Sequence, residues 1–294
     1  MDWQGQLISL YLYICNAYSN NAELHVHRKS HYVDLIFSDE EAVTIFLYGI
    51  MDRKKTLKSI WEHATNYWKD WFPALPCYGA FVQRLNRISD CFPHLVTWIH
   101  NELPFDFGSC KTHLMDSMPI ILAQRTRRFN ARVAREIASP DGYCVTKRLY
   151  YYGLKLHAVA CYRKGSLPVP ARIELTPANV FDGKVFDEIR HYFSGKDIFA
   201  DKAYQKQMSP VLVQDNVTLY TPVKKRKGQT ELSPEDRNLS FLISSVRQPI
   251  ESLFNWIEEK TGIQRASKVR STDALMIHCW GKLAVAFFLL VFYY

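Results

Sequence analysis

The chain changes texture once, at residues 101–108, NELPFDFG, and this break limits what it can fold into. Pro104 and Gly108 punctuate the stretch. Before it, apolar residues recur at helical spacing. After it come short apolar runs of strand length, interleaved with helical segments. A helical region followed by an α/β region is the architecture such an order predicts. The division falls at 1–105 and 106–294.

The helical region opens with MDWQGQLISLYLYICNAYSN, read as a short helix, because Asp2 stands where a signal peptide carries positive charge. Ser38 then starts SDEEAVTIFLYGIMDR, with Glu41 three positions on, a capping-box pattern. Ala42, Ile45, Phe46 and Ile50 recur as one helical face. Leu57, Ile60, Trp61, Ala64 and Trp68 form another, and Phe81, Leu85 and Ile88 a third. Trp61, Trp68 and Trp71 fall near helical spacing and read as core rather than as a base-stacking platform. Short helices with short connections and basic exposed positions suit a helix-turn-helix DNA-binding unit, and equally a plain helical bundle.

Five strands are expected beyond the break: CKTHLMDSMPIILA, YYGLKLHAVACY, PVPARIELTP, DIFA and VTLYTPV. Gly165 and Ser166 suit a hairpin between the second and third. FDGKVFDEIRHYF reads as a helix before the fourth strand, and SVRQPIESLFNWIEEKTG as one helix closing at Gly262. The result is an α/β domain with a mixed five-stranded sheet. At the C-terminus, Ala274 to Tyr294 approaches the length of a membrane span, but His278 and Lys282 interrupt it, so a buried core helix is expected.

Seven scattered cysteines with no C-x-x-C pair argue against a disulfide framework and against a structural zinc site. They fit a reducing, cytoplasmic compartment. The net charge of +8 suggests a polyanionic partner. The charge is concentrated near 121–148, with Arg125, Arg127, Arg128, Arg132 and Arg135, and near 224–240, with Lys224, Lys225, Arg226 and Lys227. For the KKRK run a DNA-backbone contact is favoured over a nuclear-localisation signal.

Three acids stand where burial needs explaining. Asp116 interrupts the first strand, Asp201 ends the fourth, and Glu251 lies on the last helix, whose inward face is Ile250, Phe254 and Ile257. Each has a plain reading: a strand-end turn, a cap, an exposed helix glutamate. If the first and fourth strands are neighbours, the acids can share one cleft. Clustered carboxylates do not all stay ionised unless something neutralises them, and hard oxygen ligands suit Mg²⁺ or Mn²⁺.

DSMP on the first strand, YYGLKLHAV on the second, LTPANVFD before a helix, ADKAY on the fourth strand and RQPIESLF on the last helix follow in that order. Together they resemble insertion-sequence transposases of the DDE type, most closely the insertion sequence 982 family, over roughly Ser38 to Leu283. The resemblance implies a ribonuclease H-like core in which Asp116, Asp201 and Glu251 are catalytic and ligate two Mg²⁺ ions, with Mn²⁺ as a substitute. It implies cleavage at the ends of a mobile element and transfer of the 3′-hydroxyl into target DNA. It implies double-stranded DNA as partner, a homodimer or larger assembly, a bacterial cytoplasm, and no membrane. Arg247, one turn before Glu251, is expected to contact phosphate. Ser244 and Glu258 depart from the tyrosine and lysine of a neighbouring group's signature, and Lys260 is a candidate substitute.

Lys155 and His157 alternate to one face of the second strand and are candidate supports for the site. Asp182 is read as a helix cap, Lys202 as a surface residue, and Tyr204 as packing beneath the strand end. Two other functions stay open: a domesticated DNA-binding protein without catalysis, and a ribonuclease H-like nuclease that cuts without joining.

Overall fold

A computed structural model describes residues 2–25, 36–144, 147–204 and 210–293. Five helices come first: α1 (Trp3–Asn20), α2 (Asp39–Met51), α3 (Leu57–Tyr67), α4 (Tyr78–Arg87) and α5 (Cys91–Asn101). Then follow β1 (Thr112–Gln124), the short α6 (Arg127–Asn130), β2 (Ser139–Cys144), β3 (Leu149–Cys161), β4 (Val169–Pro177), α7 (Asp182–Ile189), β5 (Asp197–Ala200), β6 (Val211–Gln214) and β7 (Val217–Tyr220). The chain ends with α8 (Pro234–Arg247), α9 (Pro249–Thr261), α10 (Thr272–Met276) and, after a π-type turn over Ile277–Gly281, α11 (Lys282–Phe292). These elements form two compact units, Met1–Pro104 with Ile257–Tyr294, and Phe105–Trp256.

The first unit is helical. Asp2 caps α1 by accepting a hydrogen bond from the Gly5 amide at 2.8 Å. At Ser38 both arms of the capping box form: the Glu41 amide donates to Ser38 Oγ at 3.1 Å, and the Ser38 amide donates to Glu41 Oε2 at 2.7 Å. The helix so started is the centre of the unit, with Ala42 to Ile50 all buried. Gly49 lets α3 approach closely, since a Cβ there would stand 2.6 Å from Ile60 Cγ2. Trp68 is buried edge-on against Tyr48, Trp61 donates to the Pro76 carbonyl, and Trp71 is exposed.

The final helices also belong to this unit, although the sequence division placed them with the α/β region. Residues 272–292 are long and apolar enough to cross a membrane by length and composition, yet 67 % of that stretch's most apolar window is buried. Leu283, Ala284, Val285, Ala286 and Phe287 are each at most 1 % exposed, and α11 packs on α2 and α5. Each fully buried Leu or Phe contributes about 1.5–3 kcal/mol, a sufficient reason for this helix to be a core element. Gly262 ends α9 with φ of 61°, a conformation glycine adopts without strain.

The second unit is a mixed α/β layer. β1 and β3 are antiparallel from His113↔Cys161 to Gln124↔Tyr151. The far edge of β3 carries β2 along its first half and β4 along its second. On the other side of β1 lie β5 and β7, both parallel, and then β6, antiparallel to β7. α7 covers one face through Val185, Phe186 and Ile189, packed with Met115, Val159, Ile198, Ala200, Val217 and Leu219. α8 contacts β1 and β5.

Among the described residues the sheet therefore has seven strands rather than five. β2, SPDGYC, lies in the basic stretch near 121–148 where no strand is expected, and is a strand by pairing with β3. β6 is four residues on the edge, with Val213 68 % exposed, so it shows no alternation. Its signal was the dipeptide Asp215–Asn216, whose φ values of 52° and 59° close a two-residue hairpin to β7. The last helix is likewise two. Pro249 cannot donate to a preceding turn, so α8 stops at Arg247 and α9 begins afresh.

Candidate active site

The parallel ladder between β1 and β5 ends at Met115↔Ala200, which makes Asp116 and Asp201 the next residues on each strand. Met115 and Ala200 both face α7. Alternation therefore turns Asp116 to the opposite face, the one on which α8 lies. Arg247, the last residue of α8, closes the group. Its Nη1 donates to Asp116 Oδ2, and its Nη2 donates to Glu251 Oε1 at 2.7 Å. Arg247 and Glu251 are four residues apart in sequence, and their ion pair spans the break at Pro249. The Ser117 amide donates to Asp116 Oδ1 at 2.8 Å.

Charge in this cleft is out of balance. Burial is the main influence on Asp116 and pushes its carboxyl up to about 6. Arg247 and the Ser117 amide pull it down, while Asp201 and Glu251 push it up. Burial works against the charge of Arg247, but Asp116, Glu251 and Asp201 outweigh it and hold the guanidinium protonated. One arginine against three carboxylates leaves two negative charges uncompensated when all are ionised. Arg247 bonds two of the acids, Asp116 and Glu251, and Asp201 acts on it through its charge. All three are hard oxygen donors of the kind a divalent ion takes, though their oxygens do not all lie within 4.8 Å of one another. Arg247 Nε is buried without a hydrogen-bond partner, one donor unused.

Lys155 and His157 pair with Pro119 and Ser117 across β3 and face the α7 side, away from Asp116. Lys155 Nζ donates to Asp182 Oδ1 and to the Val180 carbonyl, each at 2.8 Å. His157 bonds Thr176 Oγ1 at 3.0 Å and Tyr204 Oη at 3.3 Å. Burial pushes His157 down to about 4, with Asp182 opposing and Lys155 adding to it, so the ring is neutral. Asp182 is the first residue of α7 and spends its carboxylate on Lys155 rather than on a cap.

These residues support the acids from beneath. Tyr204 is 2 % exposed, and Ser117 is within hydrogen-bonding reach of its hydroxyl. The Tyr204 amide donates to the Asp201 carbonyl at 3.0 Å. Ser117 thus touches Asp116 through its amide and Tyr204 through its side chain. Nothing in the sequence marks Ser117 or Thr176, because their roles depend on cross-strand register.

The basic candidates lie elsewhere. Arg125 and Arg127 are exposed, and Arg128 lies over the rings of Phe129 and Tyr150 at 4.2 and 4.7 Å. Lys224 is half-buried. Lys225, Arg226 and Lys227 are exposed, with Lys225 Nζ donating to the Thr230 carbonyl. Lys202 is exposed. Lys260 is in the last turn of α9, in the first unit, beside Glu259.

Residues 108–271 match the family described as "Transposase DDE domain". No curated protein and no solved structure matches the chain.

Proposed function

From the premise that this chain belongs to the DDE-domain transposase family, we propose that it cuts the ends of a mobile DNA element and joins the freed 3′-hydroxyl to target DNA. The observation that carries this reading is Arg247 bonded to both Asp116 and Glu251, with the charge of Asp201 acting on the same pair. The seven-stranded order, antiparallel on one side of β1 and parallel on the other, supports a ribonuclease H-like core. Membership of the insertion sequence 982 family rests on the sequence resemblance.

Asp116, Asp201 and Glu251 are the residues that would hold Mg²⁺ or Mn²⁺. When bound, a pair of such ions supplies charge stabilisation to the attacking and leaving oxygens of a phosphoryl transfer. The chain's own residues do the rest. The Ser117 amide fixes one oxygen of Asp116, leaving the other to the cleft. Tyr204, held by His157, sets the turn that presents Asp201. Arg247 keeps the acids together before DNA arrives and then turns part of its charge to a backbone phosphate. The stretches at Arg125 to Arg128 and Lys224 to Lys227 hold the duplex by phosphate contacts. Two element ends must be joined in one event, so a dimer or larger assembly acts.

The test is cleavage and joining of duplexes spanning the DNA that flanks this chain's coding sequence, with Mn²⁺. Asp116→Asn, Asp201→Asn and Glu251→Gln should each abolish cleavage while retaining DNA binding. Retained cleavage in any one removes that residue from the site. Cutting without joined products points to a nuclease. Binding with no cleavage in the unmodified chain points to a non-catalytic DNA-binding protein.

A further inference from the structure

We infer that Cys110, His113 and Cys161 form a second metal site, one for a soft cation with Zn²⁺ as the first choice, separate from the carboxylate cleft. Cys110 precedes β1, His113 is its second residue, and Cys161 is the last residue of β3. The antiparallel register places His113 directly opposite Cys161. Their ligand atoms and Cys110 Sγ all lie within 4.8 Å of one another. Cys161 Sγ is 3.4 Å from His113 Nε2. Tetrahedral zinc with bonds of about 2.3 Å to sulfur and about 2.0 Å to nitrogen needs ligand atoms roughly 3.5–3.8 Å apart. The buried pair already has this spacing. A rotation of the half-buried Cys110, whose thiol now donates to the Thr112 carbonyl at 3.2 Å, completes the set.

Packing alone does not account for the cluster. His113 is 2 % exposed and Cys161 0 % exposed, and the edge of Phe193 covers the imidazole. His113 Nδ1 makes no hydrogen bond of normal geometry. Nε2, in contact with the Cys161 thiol, is the nitrogen that would take the cation. Binding would release two thiol protons to solvent and leave a neutral group, two thiolates against one dication, beside Lys196. Three protein ligands leave a fourth position for water on the exposed side of Cys110. Sulfur and imidazole favour zinc, while an all-carboxylate set suits magnesium or manganese where these are abundant, so the two sites differ in donor type. The site would tie the start of β1 to the end of β3, three residues before Asp116. The scattered cysteine spacing hid it because Cys161 lies 48 residues from His113.

The test uses the full chain, purified under reducing conditions, stripped with chelator and titrated with Co²⁺. Thiolate-to-cobalt charge-transfer absorption should appear at one equivalent and disappear when Zn²⁺ is added. The triple variant Asp116→Asn, Asp201→Asn, Glu251→Gln should behave identically. Cys110→Ser, at a half-exposed position that does not threaten folding, should lose one thiolate's share of the absorption and bind Zn²⁺ more weakly. Full absorption in a folded Cys110→Ser chain overturns the inference. So does the absence of any charge-transfer band. A Cys110–Cys161 disulfide recovered from zinc-free protein would assign the pair to redox chemistry instead.

Discussion

Replacing Arg247 with methionine tests the cleft without touching a carboxylate. The side chain of Arg247 is 15 % exposed, that of Asp116 20 % and that of Glu251 54 %. The Glu251 arm is mostly in solvent and contributes about 0–1 kcal/mol. The Asp116 arm is mostly enclosed, and removing one partner of a buried pair costs about 3–5 kcal/mol. Because Asp116 keeps some exposure, we expect a loss of about 2–4 kcal/mol in metal-free protein at pH 8. In a unit of this size that is a midpoint drop of roughly 5–15 °C. The sign with pH follows from Asp116, whose folded pKa is raised to about 6. A raised carboxyl contributes stability below its unfolded value, and that contribution is lost as pH rises through about 6. Arg247 offsets that loss, so its removal should matter little at about pH 4.5 and most above about pH 7. Thermal unfolding in EDTA across this range measures it. Adding Mn²⁺ should restore more stability to the variant than to the unmodified chain, because the ion no longer competes with the guanidinium. A variant as stable as the unmodified chain in EDTA, or a loss independent of pH, would refute the reasoning.

Charge reversal of Lys224, Lys225, Arg226 and Lys227 should weaken duplex binding and reduce its salt slope by about 0.9 for each phosphate no longer neutralised, and an unchanged slope would exclude the run from the interface. Burial lowers His113 and His157 to about 4 and His278 to about 3, so their stability contributions are present above about 6.5 and lost as pH falls through 4. Urea unfolding followed by circular dichroism at a series of pH values should show stability decline as pH falls below about 6.5, and His278→Gln should make that decline shallower. Gly49→Ala should cost about 1–3 kcal/mol by driving α3 away from α2, read as a shift in the urea midpoint.

Local patterns carried much of the outcome. The Ser38–Glu41 box, the buried face from Ala42 to Ile50 and the stop at Gly262 rest on interactions within a few residues. So does the ending of β5 in an acid, since Ile198 and Ala200 need an apolar face and Asp201 follows where the ladder stops. β2 and β6 were illegible because each is a strand only through its partner.

By itself the sequence determined the two textures, the chain order of five of the strands and the acid that follows β5, because periodicity and caps are short-range properties of the chain. The fold alone decided which acid meets which cation. Register turned Lys155 and His157 toward Asp182 and Tyr204, the break at Pro249 aimed Arg247 between Asp116 and Glu251, and pairing over 48 residues set Cys161 against His113. A shift of one residue in β3 would move Lys155, His157 and Cys161 to the other face, and no local pattern records that choice.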